Sequence, residues 1–490
     1  MNSDWKLSKL GELLETIIDY RGKTPPKSPK GIPTLTAANV KSGRIDLSKV
    51  SYVSRETYDR WTTRGFPEGG DVLITTEAPV GEVAPFPIDQ TYLITRRVIA
   101  LRAKKGVLDS KYLLYALLSP KYRDALLTNV RGSTVSRVLK TDITGLDLLL
   151  PEYEYQRSVA KIFHDIDSKI DLNRKTNQTL EQIAQTLFKS WFVDFEPVRA
   201  KVVVREHFER RAAEQGEPLP APGALEQAQN TAAAATIAGL SFDPADIDGT
   251  RALLEAKLAG MGVEQREQLM ETAALFPDEF SETELGKTPA GWNVTTLDEL
   301  LEFNPRRILK KGAKAPYLDM KNVPTQGHLA EDVYQREFGS GTKFINGDTL
   351  LARITPCLEN GKTAYVDFLD AEQVGWGSTE FIVLRPKGGR PLSLGYLMAR
   401  LESFRSLAIQ SMTGTSGRQR ANAKALAMAR WLDYPLDLLE RFDDIAGAYL
   451  RMAKNNGIES KALSQLRDTL LPKLLSGEIQ LNPEPVAEAS

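Results

Sequence analysis

Two segments of the chain carry apolar residues at a helical period over an unusually long stretch. In the first segment, the steps between inward positions are 3, 4, 4, 3, 4, 3, 4, 3 and 4 residues, which is a heptad seam with one extra residue. A continuous helix from Gln156 to Phe195 would be ~60 Å long at ~1.5 Å per residue. Because one small domain cannot cover such a length, the helix needs a partner. The inward series is Val159, Ile162, Ile166, Ile170, Asn173, Asn177, Leu180, Ala184, Leu187 and Trp191.

The partner is a second helical segment near the C-terminus, which repeats the first at a constant offset of 283 residues. Val159, Ile183 and Trp191 match Phe442, Leu466 and Leu474, for example. We therefore predict two long antiparallel coiled-coil helices, which would place the domains that precede them at opposite ends. The predicted pairing residues are Ile162, Ile166, Asn173, Leu180 and Leu187 on the first helix and Ile445, Tyr449, Asn456, Leu463 and Leu470 on the second.

Asn173 and Asn456 interrupt the apolar seam at equivalent positions. A polar residue there costs stability but fixes register if the two side chains can pair. The alternative is that both point to solvent on a slightly rotated helix. The sequence leaves this choice open.

Each long helix follows a region of short, turn-punctuated apolar runs. Strand-like runs at 71–76 and 380–384 alternate with helical runs at 113–118 and 394–401. These regions also resemble each other, since Gly70-Asp71 matches Gly347-Asp348, and the loop from Arg131 to Arg137 matches the loop from Thr413 to Arg418. The predicted fold class is α+β, with two similar globular domains in a pseudo-two-fold internal repeat.

This organisation divides the chain into six segments. The segment between the first helix and the second domain has no counterpart elsewhere in the chain, and it is either a solvated linker or a docking surface. The predicted segments are a first domain at 1–152, a central spacer helix at 153–199, an acidic, partly helical insertion at 200–285, a second domain at 286–436, a C-terminal spacer helix at 437–480 and a flexible tail at 481–490.

The net charge of -1 conceals a partition along the chain. The first domain has 23 Lys and Arg against 17 Asp and Glu (+6), and the second has 20 against 15 (+5). The insertion has 7 against 16 (-9). Two basic regions favour phosphate binding, because each neutralised phosphate releases counterions. An excess of this size is also compatible with ordinary scatter.

Sequence motifs for catalysis, metal binding and membrane insertion are missing. One cysteine, Cys357, indicates a reducing, cytoplasmic setting, and the three histidines lack metal-ligand spacing. Asn360-Gly361-Lys362-Thr363 lacks the upstream glycine of a phosphate-binding loop, since that position is Pro356. Pro277-Asp278 and Glu284-Leu-Gly-Lys287 miss the spacing of a metal-dependent nuclease by one residue. We expect no catalytic residue, no metal and no cofactor in this chain.

The two basic domains instead offer hydroxyl and guanidinium groups in loops and at strand ends. Arg can bind guanine in a bidentate manner, Gln or Asn can do the same for adenine, and hydroxyls bind phosphates. Taken one by one, these residues are as compatible with ordinary surface charge as with DNA binding. The candidates are Thr75, Thr76, Arg96, Arg97, Arg131, Ser133, Thr134, Ser136 and Arg137 in the first domain and Arg353, Thr355, Thr415, Ser416, Arg418, Gln419 and Arg420 in the second.

The order of motifs resembles the specificity subunit of Type I restriction-modification enzymes. The resemblance covers nearly the whole chain, and it is specific as a combination although each motif alone is weak. It rests on Trp5-Lys-Leu-Ser-Lys-Leu-Gly-Glu-Leu13, Phe188-Lys-Ser-Trp-Phe-Val-Asp-Phe-Glu-Pro197, Leu275-Phe-Pro-Asp278, Glu284-Leu-Gly-Lys-Thr-Pro-Ala-Gly-Trp292 and Leu470-Leu-Pro-Lys-Leu-Leu-Ser-Gly477.

The resemblance implies two target-recognition domains, each reading one half of a split sequence in double-stranded DNA. It also implies that two methyltransferase subunits dock on the helices, that they use S-adenosylmethionine to methylate adenine, and that a separate motor subunit cleaves DNA. The second half departs from the first, since Glu459 and Ser460 replace Thr176 and Asn177, and its loop lacks the leading Arg.

Two other functions compete with DNA recognition. A coiled-coil scaffold joining two protein-binding domains explains the repeat and the helices, but not the partition of charge. An enzyme with an unrecognised active site is disfavoured by the missing acid, base and metal clusters.

Overall fold

The computed structural model describes residues 5–20, 24–128, 130–131, 136–330, 332–415 and 417–481. The chain forms two compact units. The first unit comprises Met1–Leu172 and Glu459–Ser490, and the second comprises Asn173–Ile458. Each unit therefore holds one globular domain together with parts of both long helices. Apart from Leu481, the predicted flexible tail lies outside the described residues.

The first domain is built around a four-stranded antiparallel sheet in the order β2-β10-β7-β8. A smaller sheet, β6-β3-β9, combines an antiparallel and a parallel pairing. A side-chain cap starts α3, where the Asp109 carboxylate accepts the Tyr112 N–H (2.9 Å). The elements are β1 (Lys6–Lys9), α1 (Leu10–Leu13), β2 (Leu14–Ile18), β3 (Ile32–Leu35), β4 (Val40–Lys41), β5 (Arg44–Ile45), β6 (Ser51–Val53), α2 (Arg55–Trp61), β7 (Val72–Thr76), β8 (Val80–Pro85), β9 (Leu93–Ile94), β10 (Val98–Ala103), α3 (Ser110–Leu118), α4 (Pro120–Thr128), α5 (Lys140–Thr144) and β11 (Asp147–Leu150).

The first long helix, α6 (Tyr153–Phe192), is followed by four shorter helices in the insertion. These are α7 (Glu196–Gln215), α8 (Pro222–Ile237), α9 (Ile247–Lys257) and α10 (Val263–Leu275). The alanines at 232–235 of α8 are fully buried, because their small side chains let the neighbouring helices approach closely. The buried Lys201 ammonium donates to the Phe276 carbonyl (2.6 Å), and burial lowers the pKa of Lys201 to about 8. The insertion is thus a packed helical layer, and the solvated-linker alternative is wrong for it.

The second domain repeats the first. Its four-stranded sheet, β15-β22-β19-β20, has the strand order and antiparallel pairing of the first, and a second sheet follows the order β17-β16-β21-β18. The elements are β12 (Phe280–Thr283), β13 (Gly286–Pro289), β14 (Val294–Thr296), α11 (Leu297–Leu300), β15 (Leu301–Phe303), β16 (Lys314–Leu318), a 3-10 turn (Met320–Asn322), β17 (Tyr334–Glu337), β18 (Thr342–Phe344), β19 (Thr349–Ala352), β20 (Thr363–Tyr365), β21 (Gly375–Gly377), β22 (Phe381–Pro386), α12 (Ser393–Arg400), α13 (Glu402–Gln410), β23 (Met412–Thr413), β24 (Arg420–Ala421), α14 (Ala423–Ala427), β25 (Arg430–Leu432) and α15 (Leu436–Ser476).

Matching aspartates hold the start of the central strand in both domains. Asp71, just before β7, accepts the Glu68 N–H (2.8 Å) and pairs with Arg102 (2.8 and 2.9 Å). Asp348, just before β19, accepts the Ile345 N–H (2.9 Å) and pairs with Arg385 (2.7 Å). The carboxylate of Asp71 raises the pKa of Arg102. The predicted α+β fold with an internal repeat is confirmed, because even these buried ion pairs recur.

The long helices run antiparallel in each unit. In the first unit, the Tyr155 hydroxyl donates to the Leu474 carbonyl (3.1 Å), and Lys169 pairs with Glu459 (3.1 Å). Later positions of α6 therefore contact earlier positions of α15, as expected for antiparallel helices. In the second unit the Asn177 amide donates to the Ala453 carbonyl (3.0 Å), in the same sense.

Candidate nucleic-acid interface

Three segments of the first domain meet where β7 ends, and backbone hydrogen bonds hold them together. The Thr76 N–H donates to the Arg97 carbonyl (2.9 Å), and the Thr76 carbonyl accepts the Val138 N–H (3.0 Å). Arg131 and Arg137 exchange two backbone hydrogen bonds (2.9 and 3.0 Å). The fold thereby gathers candidates that lie up to 61 residues apart in the sequence. We call Thr76, Arg96, Arg97, Arg131, Ser136 and Arg137 the first polar surface.

Some cations of the first polar surface are tethered and others are exposed. Arg97 pairs with Glu77 (2.9 Å), and Arg131 pairs with Asp142 (3.3 Å). The buried Nε of Arg97 has no hydrogen-bond partner among the described residues. Arg96, Ser136 and Arg137 are exposed. The surface thus combines ion-paired guanidinium groups with exposed ones at one strand end.

Three predicted residues of the first domain do not belong to this surface as described. Thr75 is fully buried, and its hydroxyl accepts the Glu82 N–H (2.9 Å). Its side chain lies on the same face of β7 as the fully buried Leu73, because alternate residues of a strand share a face. Ser133 and Thr134 lie outside the described residues.

The second domain assembles the same backbone arrangement where β19 ends. The Arg353 N–H donates to the Glu380 carbonyl (2.9 Å), and the Arg353 carbonyl accepts the Ala421 N–H (2.7 Å). The Thr355 N–H donates to the Gln419 carbonyl (3.1 Å). We call Arg353, Thr355, Thr415, Arg418, Gln419 and Arg420 the second polar surface; Ser416 lies outside the described residues.

The side chains of the second polar surface are dominated by one ion pair. Arg420 holds both oxygens of Glu380 through Nε (2.9 Å to each) and one of them through Nη2 (2.7 Å). The carboxylate raises the pKa of Arg420. Thr415 and Arg418 are exposed, whereas Arg353 Nε and Thr355 Oγ1 are buried without a hydrogen-bond partner in the described part of the chain.

The hydrogen bonds correct one detail of the sequence comparison. Arg137 precedes Val138, which bonds to Thr76, and Arg420 precedes Ala421, which bonds to Arg353. Arg137 therefore corresponds to Arg420 and not to Arg418. An alignment of the two loops by Gly132 and Gly414 misses this match, because the second loop is one residue longer.

The carboxylates of these surfaces were not among the predicted site residues. Glu77, Asp142 and Glu380 were missed because the search for phosphate and base contacts favoured cations and hydroxyls. The repeat itself carried a signal, since the offset of 283 residues sets Glu380 against Arg97.

The predicted helix-pairing residues fall into two groups. The Asn173 amide donates to the Asn456 carbonyl (3.3 Å), and the Asn456 amide donates to the Asn177 side chain (2.9 Å). The asparagines therefore face the partner helix. Leu180 is buried. The remaining predicted residues are partly buried: Ile162, Ile166, Leu187, Ile445, Tyr449, Leu463 and Leu470.

Within the described part of the chain, no group of three or more His, Cys, Asp or Glu residues has an arrangement that could hold a metal ion. Among the described helices, none combines the length and the hydropathy that a membrane span requires.

Comparisons with known proteins point to one family. Residues 2–182 match the family model for the Type I restriction modification DNA specificity domain. The chain is 26% identical to the Type I restriction enzyme HindI specificity subunit of Haemophilus influenzae over 97% of this chain and 100% of that protein. It is 29% identical to the MjaIX specificity subunit of Methanocaldococcus jannaschii over 40% of this chain and 45% of that protein.

Among solved structures, the chain is similar to a Type I restriction-modification S subunit from M. genitalium. The TM-score is 0.48 at 14% identity, and the alignment covers 96% of each chain.

The duplicated fold presents two polar surfaces with matching backbone hydrogen bonds and different side chains. Residues 2–182 match the DNA specificity domain of Type I restriction modification, and over 97% of its length the chain is similar to a Type I specificity subunit.

Proposed function

We propose that this chain reads a bipartite site in double-stranded DNA, with one domain for each half-site. The observation that carries the proposal is the pair of polar surfaces. Their backbones are held by the same hydrogen bonds, whereas the side chains at matched positions differ, as Arg97 and Glu380 do. Two domains with the same backbone arrangement and different side chains suit the recognition of two different DNA sequences. The reason is that side-chain donors and acceptors distinguish the edges of the bases.

The distribution of charge supports DNA as the ligand. Both surfaces belong to the domains with excess positive charge (+6 and +5), whereas the insertion carries -9. Phosphate contacts would supply affinity through counterion release, and the guanidinium groups at the strand ends would supply base contacts. We further propose that the paired long helices set the gap between the half-sites.

Partner subunits would dock on the long helices. Ile183 on α6 and Leu466 on α15 occupy equivalent positions of the repeat, and both side chains are exposed (39% and 47%). Two equivalent exposed apolar positions suit two copies of one partner, which we propose are methyltransferase subunits. A restriction subunit would join through them.

We place the chemistry in the partners rather than in this chain. S-adenosylmethionine would bind to the methyltransferase subunit, and this chain would contribute recognition without catalysis. The single cysteine suits action in the cytoplasm.

The proposal is tested by selecting bound duplexes from a random library with the full chain, at two salt concentrations. We expect a consensus of two short blocks separated by a constant gap, with affinity that falls steeply as salt rises. A scaffold joining two protein-binding domains would select no consensus, and that result would exclude DNA reading.

A further inference from the structure

We propose that Arg420, held by Glu380, recognises a guanine in the half-site read by the second domain, with Glu380 as its positioning residue. The inference rests on the proposed function. It adds which side chain contacts DNA, which base it contacts and what orients that side chain. It concerns the second unit alone.

The geometry fixes the direction of the guanidinium group. Glu380 occupies the edge formed by Nε and Nη2, with three contacts of 2.7–2.9 Å. The other edge, formed by Nη1 and Nη2, carries two parallel N–H donors that match the O6 and N7 acceptors of guanine. The one contact described for Nη1 is long, at 3.4 Å to the Arg418 carbonyl.

Hydrogen bonds hold the backbone on both sides of the ion pair between Arg420 and Glu380. Glu380 directly precedes β22, and its carbonyl accepts the Arg353 N–H (2.9 Å). Arg420 lies in β24, which pairs with β23, and its neighbour Ala421 bonds to the Arg353 carbonyl (2.7 Å). The Arg420 side chain nevertheless remains 43% exposed. Because Glu380 already orients this exposed guanidinium group, the Arg420 side chain loses little conformational freedom when it binds DNA. A pre-oriented side chain favours contact with one particular base.

The first domain lacks an equivalent of the ion pair between Arg420 and Glu380, although its backbone hydrogen bonds are the same. Arg137 takes the position of Arg420, but Arg97 replaces Glu380 and pairs with Glu77 instead. Among the described residues, no carboxylate pairs with Arg137. The two half-sites should therefore differ at the base that this position meets.

The decisive experiment compares the half-sites that wild-type chain and variants select from a random duplex library. We expect wild type to require guanine at one position of the second half-site. Arg420→Ala and Arg420→Lys should each reduce that preference by roughly 10- to 100-fold, because neither can make the bidentate contact. Glu380→Ala should weaken the same preference, whereas Glu380→Asp should partly restore it.

Two controls distinguish a loss of guanine preference from a loss of folding or of overall DNA binding. The first half-site must be selected unchanged by every variant, which verifies folding and overall binding. Arg430→Ala removes an exposed Arg from a similar pair with Glu284, away from the second polar surface, and should leave both half-sites unchanged.

The inference is overturned if Arg420→Ala lowers affinity equally for all sequences, since that would mark a phosphate contact. It is also overturned if wild type requires no guanine in the second half-site. A wild-type chain that selects no consensus at all would instead remove the proposed function itself.

Discussion

At the scale of single residues, a buried carboxylate anchors the start of the strand that leads to the second polar surface. Asp348 has no exposed surface and contacts Arg385 (2.7 Å) and Arg307 (3.2 Å) just before β19. The strand that it starts ends at Ala352, directly before Arg353 of the second polar surface. A buried ion therefore positions residues that lie at the far end of the same strand.

Asp348→Ala should lower the free energy of unfolding by about 3 kcal/mol, because two arginines lose a buried partner. Urea denaturation measures the change. Glu284→Ala is the matched control, since it removes a solvent-screened ion pair with Arg430 and should lower the free energy of unfolding far less. An equal effect of both substitutions would contradict the role assigned to Asp348.

A second buried cluster joins α6 to the second domain through a histidine. His328 lies 3.4 Å from Asp367 and 3.9 Å from Glu181, and Tyr396 and Arg400 complete the surroundings. Burial alone would lower the pKa of His328, but the two carboxylates outweigh it and raise the pKa above its usual value.

This cluster predicts a dependence of stability on pH. Since the folded pKa of His328 exceeds the unfolded value of about 6.5, the stabilisation is complete below that pH and is lost as pH rises through the folded pKa. Urea midpoints between about pH 6 and pH 9 should decline for wild type. His328→Gln should decline less over this window; an identical slope would refute the assignment.

At the scale of elements, the long helices pack against two kinds of neighbour, namely each other and the cores of the globular domains. The predicted seam included Ile162 and Leu187, but the fully buried residues beside them are Phe163 and Phe188. These phenylalanines pack into the cores of the adjoining domains. Each end of α6 therefore buries a wider face than a coiled-coil seam would. The spacing of apolar residues alone does not distinguish contacts with the partner helix from contacts with a domain core.

The asparagines in the middle of the helix pair should contribute measurably to stability. Asn456→Ala removes the amide that donates to Asn177 (2.9 Å) and should cost about 1 kcal/mol relative to Asn455→Ala. Asn455 is its exposed neighbour on the same helix, so both substitutions change helix propensity equally. Equal unfolding midpoints for the two variants would show that the contact contributes nothing.

At the scale of the whole molecule, the duplication separates recognition into two modules. Each domain has its own sheets, its own aspartate–arginine pair and its own polar surface. Specificity should consequently be inherited domain by domain.

Replacing residues 1–152 by the equivalent domain of a relative should alter one half-site and leave the other unchanged. The reason is that the side chains of the second polar surface belong entirely to the second domain. Methylome sequencing of a host carrying the exchanged chain measures both half-sites. A change in both half-sites would refute the modular arrangement, and the unmodified chain is the control.

The sequence by itself determined the repeat, the α+β class and the long helices, because apolar periodicity and a constant offset can be read directly from the order of the residues. It also determined the residue types of the candidate surfaces. Only the tertiary structure decided that Thr75 is buried, that Arg137 corresponds to Arg420, and that Glu380 orients Arg420. Those facts depend on which strands pair and which side chains share a strand end, and such contacts link positions far apart in the chain.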